Sequence, residues 1–322
     1  MAEDNLMATT IILLIIGLIV LIVGGDYLVK GSSSIALRLH LSPLVVGLTI
    51  VAFGTSAPEL LISIQSALKG SPDIAMGNVV GSNICNLALV LGLTAVINPV
   101  KVQTNSLRID WPMTMGASVL LFLVVREGVL GAVEGVIFLI AITTYLVLII
   151  VQSRIDVKSK LREKETDNIP DAPKKQMWKD ITFIILGCVA LYYGSEWFVS
   201  SSKELALSLG VEERVVGLTV VALGTSLPEM VTAAVASFKG ETDLALGNLM
   251  GSNIFNILSI LGITAIITPI HVHEVILNKD IIWMLMITLM ILPLMIVRRE
   301  VGRADGIVLL IVYSVYIYTV VV

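Results

Sequence analysis

Cysteine, histidine and charge are all scarce in this chain of 322 residues, and each scarcity removes a class of protein. The two cysteines, Cys85 and Cys188, stand far apart and form no CxxC or CxxH pattern. They read as small apolar packing residues rather than as a disulfide framework or a thiolate metal site. The three histidines, His40, His271 and His273, fall outside the strongest apolar runs, and none lies near a serine in the way a hydrolase needs. No cofactor motif occurs and no zinc-ligand spacing lies in the apolar runs, so an enzyme is not expected. Charged residues make up 14% of the chain with a net charge of −4, which gives no sign of a nucleic-acid partner or of an obligate protein partner.

What fills the chain instead is apolar. Hydrophobic residues reach 56% and the mean hydropathy is +0.95. Runs of about 20 apolar residues recur along the whole length, which is the pattern of an all-α polytopic protein of the cell (inner) membrane, with the lipid bilayer as its solvent. Ten transmembrane helices are expected, at 8–29, 44–68, 72–98, 108–125, 131–153, 180–200, 212–238, 242–268, 280–297 and 304–322. Met1 to Thr10 carries Glu3 and Asp4 and no basic residue, so the first apolar run reads as a span and not as a cleaved signal. One long hydrophilic stretch, 154–179, interrupts the series, and Asn168 to Pro173 at its middle reads as a flexible linker. It separates a first five-helix unit, 1–153, from a second, 180–322.

The two units are repeats. A shift of 170 residues aligns Val45–Leu87 with Val215–Ile257 without a gap, and 23 of the 43 positions are identical. The register extends outward: Asp26 meets Glu196, Pro99 meets Pro269, Asp110 meets Asp280, and with one extra residue Glu134 meets Asp305. Five is an odd number of spans, so the second unit enters the membrane from the opposite side. The result is a pair of inverted-topology five-helix repeats, a plan whose binding sites lie near the midplane on broken helices.

Each repeat carries the same break. It reads Gly54-Thr55-Ser56-Ala57-Pro58-Glu59 in the first and Gly224-Thr225-Ser226-Leu227-Pro228-Glu229 in the second. A carboxylate at that depth costs roughly 2.5–3.5 kcal/mol on insertion scales. The nearest cationic side chain after Glu59 is Lys69, about 15 Å further along a helix. The absent partner is therefore read as a cation that comes and goes. Proline has no N–H to offer the carbonyl four residues back, so Pro58 and Pro228 free backbone oxygens, which are hard ligands.

The following span of each repeat carries a second motif, Gly77-Asn78-Val79-Val80-Gly81-Ser82-Asn83-Ile84-Cys85-Asn86 and Gly247-Asn248-Leu249-Met250-Gly251-Ser252-Asn253-Ile254-Phe255-Asn256. The glycines, four apart, suit close approach of two membrane helices. Ser82 and Asn86 share a helix face, as do Ser252 and Asn256. Asn86 and Asn256 are accordingly expected to be ion ligands. Two bidentate carboxylates supply four oxygens, and carbonyls, amides or water complete the 6–8 that calcium takes.

The doubled motif pair, GTSxPE followed by GNxxGSNxxN, resembles the alpha repeats of the sodium/calcium exchanger family, within the calcium:cation antiporter superfamily. The specific match covers about 55 residues in each half, and the short linker resembles that of the small bacterial and archaeal members. The resemblance implies a secondary active antiporter that exchanges calcium for sodium by alternating access. A calcium/proton antiporter is the neighbouring alternative and a cation channel a more distant one. It further implies that Glu59 and Glu229 bind calcium with backbone oxygens near Thr55 and Thr225. Sodium sites would draw on Ser56, Ser82, Ser226 and Ser252 and on the carbonyls of Ala52 and Ala222, and the first and sixth spans would slide as a gate. Calcium and sodium would be transported substrates, with no cofactor. One departure is visible: well-known sodium/calcium members carry Asp at the position of Asn256.

Lysine and arginine divide unevenly between the two sides. An outward N-terminus places 16 of them inside, linker included, and 5 outside, and the excess favours both termini outside with a cytoplasmic linker. In a background lacking Cys85 and Cys188, Ser159→Cys and Thr104→Cys are expected to resist impermeant thiol reagents applied to intact cells, while Ser71→Cys reacts. Labelling of the Ser159→Cys protein from outside would invert the topology.

Overall fold

The computed structural model describes residues 2–163, 177–210 and 222–321. The expected linker centre, 168–173, and the front of the seventh span, 211–221, lie outside the described residues. Within them the chain is helical. Helix α1 is Ala2–Leu39. The second span is a bent pair, α2 (Pro43–Thr55) and α3 (Ala57–Leu68), whose axes differ by 44°. Then follow α4 (Ile74–Ile97), α5 (Ser106–Glu127), α6 (Ala132–Glu163) and α7 (Met177–Ser208). A single turn, Ala222–Gly224, precedes α8 (Leu227–Phe238). The chain ends with α9 (Thr242–Ile267), α10 (Ile276–Arg298) and α11 (Arg303–Val321).

Among the described residues, eight helices are long and apolar enough to cross a membrane, and the bent pair makes a ninth crossing. Helix α8 is the rear half of the tenth, in the same relation to the second break as α3 is to the first. Helices α4 and α9 lie innermost. Their most apolar stretches are 72% and 83% buried, against at most 33% in the other long helices. The motif helices therefore form the centre, and the greasy outer helices meet lipid.

Helix α1 runs ten residues past the expected 8–29. At 38 residues it is about 57 Å long, nearly twice the hydrocarbon thickness. The polar residues that suggested an end are accommodated by partners: Lys30 reaches Asp26 at 2.6 Å one turn back, and Arg38 pairs with Asp180 at the start of α7. Helices α1 and α7 run antiparallel in backbone contact. A Cβ on Gly17 would lie 3.0 Å from the Gly194 carbonyl oxygen, and one on Gly24 would lie 3.0 Å from that of Gly187. The repeat shift carries Gly17 onto Gly187 and Gly24 onto Gly194, so one contact becomes the other.

The same two-fold relation recurs through the molecule. Four two-residue strands, not expected from the sequence, form two antiparallel pairs: β1 (Val100–Lys101) with β4 (Glu300–Val301), and β2 (Val129–Leu130) with β3 (Ile270–His271). Val100 stands opposite Val301 and Leu130 opposite Ile270. The shift that aligns the repeats turns the first pairing into the second. Each pair joins one repeat to the other, and strand pairing satisfies backbone groups where helices end. Likewise a Cβ on Gly306 would meet the Gly92 carbonyl oxygen at 2.6 Å, and one on Gly135 would meet that of Gly262 at 2.7 Å.

The expected glycine face of the motif helices is present in α9. Gly251 packs on Leu48 and Ala52, and Gly247 on Leu44. For Gly77 and Gly81 the equivalent neighbours, 214–222, fall in or beside the undescribed segment. These contacts leave no room for a side chain. Gly306→Val is expected to destabilise the detergent-solubilised protein by about 2 kcal/mol or more, read as a fall in thermal midpoint. Gly116→Ala, where a Cβ meets nothing within 4 Å among the described residues, is expected to hold or raise the midpoint.

Candidate ion-binding site

The first break forms where two local preferences collide. Thr49 Oγ1 donates to the Val45 carbonyl at 2.7 Å, and Gly47–Val51 is wound as a π-turn. Such turns leave backbone groups out of the regular ladder and occur often at functional sites. Helix α2 then ends at Thr55, Ser56 takes a non-helical conformation (φ −85°, ψ 5°), and Pro58 sits in the first turn of α3. Ser226 adopts the same conformation (φ −86°, ψ 3°) before Pro228 in α8. Glu59 and Glu229 thus lie in the first turn of α3 and α8, where the positive end of a helix dipole favours a negative charge.

Both glutamates are fully buried, and neither has an ion-pair partner among the described residues. Their surroundings differ. Ser56 Oγ donates to Glu229 Oε1 at 2.9 Å, and Ser252 Oγ approaches the same oxygen at 3.4 Å. Ser252 also stands 3.4 Å from Thr55 Oγ1, which lies 3.2 Å from Asn248 Oδ1. One chain of hydroxyls therefore links the first break to α9 and to the second glutamate. Its two-fold mate is partly formed: Ser82 Oγ is 3.4 Å from Thr225 Oγ1, but Ser226 Oγ and both oxygens of Glu59 have no hydrogen-bond partner among the described residues.

The asparagines make a second cluster. Asn86 and Asn256 each sit in a π-turn, Cys85–Val90 in α4 and Phe255–Ile260 in α9. Asn256 Nδ2 donates to Asn83 Oδ1 at 3.0 Å, and Asn86 Nδ2 to Asn253 Oδ1 at 3.5 Å. Asn83 Nδ2 donates to the Asn253 carbonyl at 3.2 Å. Each amide nitrogen of Asn86 and Asn256 is thereby engaged, and each amide oxygen is left without a donor among the described residues. Among the described residues, five buried acceptor oxygens in this region lack one: both of Glu59, Oε2 of Glu229, and the amide oxygens of Asn86 and Asn256. Buried acceptors without donors are costly. An array of hard oxygens of this kind is chemically matched to a hard cation.

Of the residues singled out from the sequence, Thr55, Ser56, Ser252 and Glu229 are joined by hydrogen bonds, as are Ser82 and Thr225, while Asn86 and Asn256 enter through Asn83 and Asn253. The Ala52 carbonyl accepts from Ser56 N at 3.0 Å and from Thr55 Oγ1 at 3.3 Å. Ala222 opens the turn before the second break. One participant had no sequence signal of its own. Ser195 in α7 donates to the Gly224 carbonyl at 2.7 Å, the oxygen that Pro228 frees. In the first repeat Gly25 stands at the equivalent position, so the only hint was that a hydroxyl replaces glycine beside Glu196.

The chain is similar to known proteins along its whole length. The family model described as sodium/calcium exchanger protein matches residues 9–151 and 179–322. The sodium/calcium exchanger MaX1 of Methanosarcina acetivorans is 32% identical over 338 aligned positions, covering 95% of this chain and 97% of that protein. The inner membrane protein YrbG of Escherichia coli is 33% identical over 305 positions, covering 92% of each. A solved structure of the sodium-calcium exchanger NCX_Mj superposes with a TM-score of 0.84 at 29% identity, covering 97% of this chain and 99% of that one. With both repeats matched and the fold shared end to end, this multi-pass membrane protein belongs to the sodium/calcium exchanger family of antiporters.

Proposed function

We propose that the protein exchanges calcium for sodium across the cell's inner membrane by alternating access. The observation that carries this reading is the set of five buried acceptor oxygens without donors among the described residues, three on the glutamates at the two breaks and two on the asparagines of α4 and α9. In this reading Glu59 and Glu229 hold calcium, with Asn86 and Asn256 as neutral oxygen ligands and backbone oxygens near Thr55 and Thr225 completing the shell. Sodium takes overlapping positions near Ser56, Ser82, Ser226 and Ser252 and the carbonyls of Ala52 and Ala222. The two ions compete for one array, so exchange follows from shared ligands. With Asn at both 86 and 256 the charge of the array comes from two carboxylates, which balances one calcium or two sodium ions. The name of MaX1 and the calcium/sodium theme of NCX_Mj support the choice of ions, and the name of YrbG supports the membrane. We place the repeats at 1–153 and 180–322, the linker at 154–179 on the cytoplasmic side, and both termini outside.

Two measurements test the proposal. In proteoliposomes, an imposed sodium gradient is expected to drive calcium uptake and an imposed pH gradient without sodium is not. Uptake driven by the pH gradient alone would make the protein a calcium/proton antiporter. Separately, Glu59→Gln and Glu229→Gln are each expected to lower sodium-driven calcium flux by about 100-fold or more, as removal of a buried, desolvated charge does when its partner is an ion. Glu127→Gln, at the end of α5, is expected to keep parental flux. Undiminished flux in either midspan variant, at equal expression, would remove that glutamate from the site.

A further inference from the structure

Outside the hydroxyl and asparagine clusters, Glu196 stands on α7 where its charge needs an explanation. Glu196 lies past the midpoint of α7, is exposed, and has no hydrogen-bond or ion-pair partner among the described residues. It lines a cavity of about 270 Å³ that also touches Gln65, Ser195, Ser200, Pro58 and Thr225. The last two belong to the two breaks themselves. The cavity therefore runs from Glu196 to the edge of the proposed ion site. A carboxylate facing lipid at this level would be strongly unfavourable, and the open side of this cavity, whose wall is otherwise apolar (Leu61, Ile62, Tyr192 and Val199), is where it can stay hydrated.

The repeat supplies an independent observation. Glu196 is the two-fold mate of Asp26 in α1, and Asp26 is not bare. Lys30 Nζ lies 2.6 Å from its Oδ2, and Lys239 Nζ lies 2.5 Å from its Oδ1. Two ammonium groups tethered to the protein thus sit on the carboxylate at one of the two related positions. At the other, the mate of Lys30 is Ser200, which lines the cavity, and the mate of Lys239 is Lys69, which makes no ion pair among the described residues. The carboxylate is present in both repeats, and the built-in cations close on it in one only.

We propose that Glu196 is an entry site for a hard, partly hydrated alkali or alkaline-earth cation, filling from the membrane face opposite the linker the role that Lys30 and Lys239 fill at Asp26. The ion rests there before passing Thr225 and Pro58 to the buried glutamates. This inference rests on the exchange reading above. A fixed negative charge at the mouth of a cavity raises the local cation concentration and speeds capture, and its influence fades as salt screens it. Removing it changes capture from one side while leaving the buried array intact.

The test is the concentration dependence of labelled calcium flux, and of sodium activation, measured separately from each side of oriented vesicles. Glu196→Gln is expected to raise the half-saturating concentration on the cavity side by about 3- to 10-fold at low ionic strength, with the maximal rate kept. The opposite side is expected to be unaffected. Glu196→Asp is expected to restore the parental value, Glu196→Lys to exceed the defect of Gln, and high salt to narrow the differences. A calcium-only effect or a sodium-only effect assigns the ion that uses the site. Unchanged half-saturation on both sides, an equal change on both, or a lower maximal rate with unchanged half-saturation would each overturn the proposal. If the parent shows no sodium-driven flux, self-exchange of labelled calcium carries the same comparison, which separates failure of the sodium reading from failure of this one.

Discussion

Two carboxylates sealed inside a membrane protein, with no cationic side chain paired to them among the described residues, set the terms for everything around them. The charge cannot be hydrated by bulk water and cannot be left bare at low energy. Each glutamate is therefore placed in the first turn of a helix that begins at membrane depth, which requires the preceding helix to stop there. Stopping it frees carbonyls, and those require donors or ions. Ser195 answers one such carbonyl from α7, and hydroxyls of Ser56 and Ser252 answer one carboxylate oxygen of Glu229. Asn83, Asn86 and Asn256 spend their amide nitrogens inside the cluster, which leaves the amide oxygens of Asn86 and Asn256 as open acceptors among the described residues.

The site does not share the symmetry of the scaffold. Strand pairs, glycine contacts and motif helices map onto one another under the repeat shift, yet the bond from Ser56 to Glu229 has no formed counterpart from Ser226 to Glu59. Asp26 and Glu196 differ in the same sense, one clasped by lysines and the other bordering a cavity. Two inverted halves with one sequence pattern have two related arrangements open to them, and a single structure can adopt only one. Local asymmetry on a symmetric frame is what a two-state carrier requires.

Much of this was legible in the residues because the duplication is so well kept. A proline next to a glutamate, twice, inside runs of aliphatic side chains, fixes where the helices break and which groups are stranded there. The spans were legible for the same reason that hydropathy works: no lipid-facing backbone can be left unpaired. What stayed hidden depends on contacts between distant parts of the chain. Thr55 and Asn248 are 193 residues apart, and no local pattern says that they meet. The length of α1 was masked by Asp26, Lys30 and Arg38, whose partners lie on the same helix, on α8 and on α7. The strands were too short to carry any period of two. The spacing of Gly17 and Gly24, and of Gly187 and Gly194, was a usable sign of helix contact that only the antiparallel pairing of α1 and α7 explains.

That pairing has a mechanical consequence. One helix from each repeat is fastened to the other along its backbone, by glycines near the middle, by Thr10 with Glu204 at one end and by Arg38 with Asp180 at the other. A bar built this way cannot move at one face of the membrane without moving at the other. Because the two helices point in opposite directions, the proposed alternating access would have a displacement that uncovers the break beside one cover the break beside the other. On that reading the two faces do not reach the glutamates together. An ion gradient held across such a membrane does not short-circuit through the carrier, and the work stored in one ion remains available to move another.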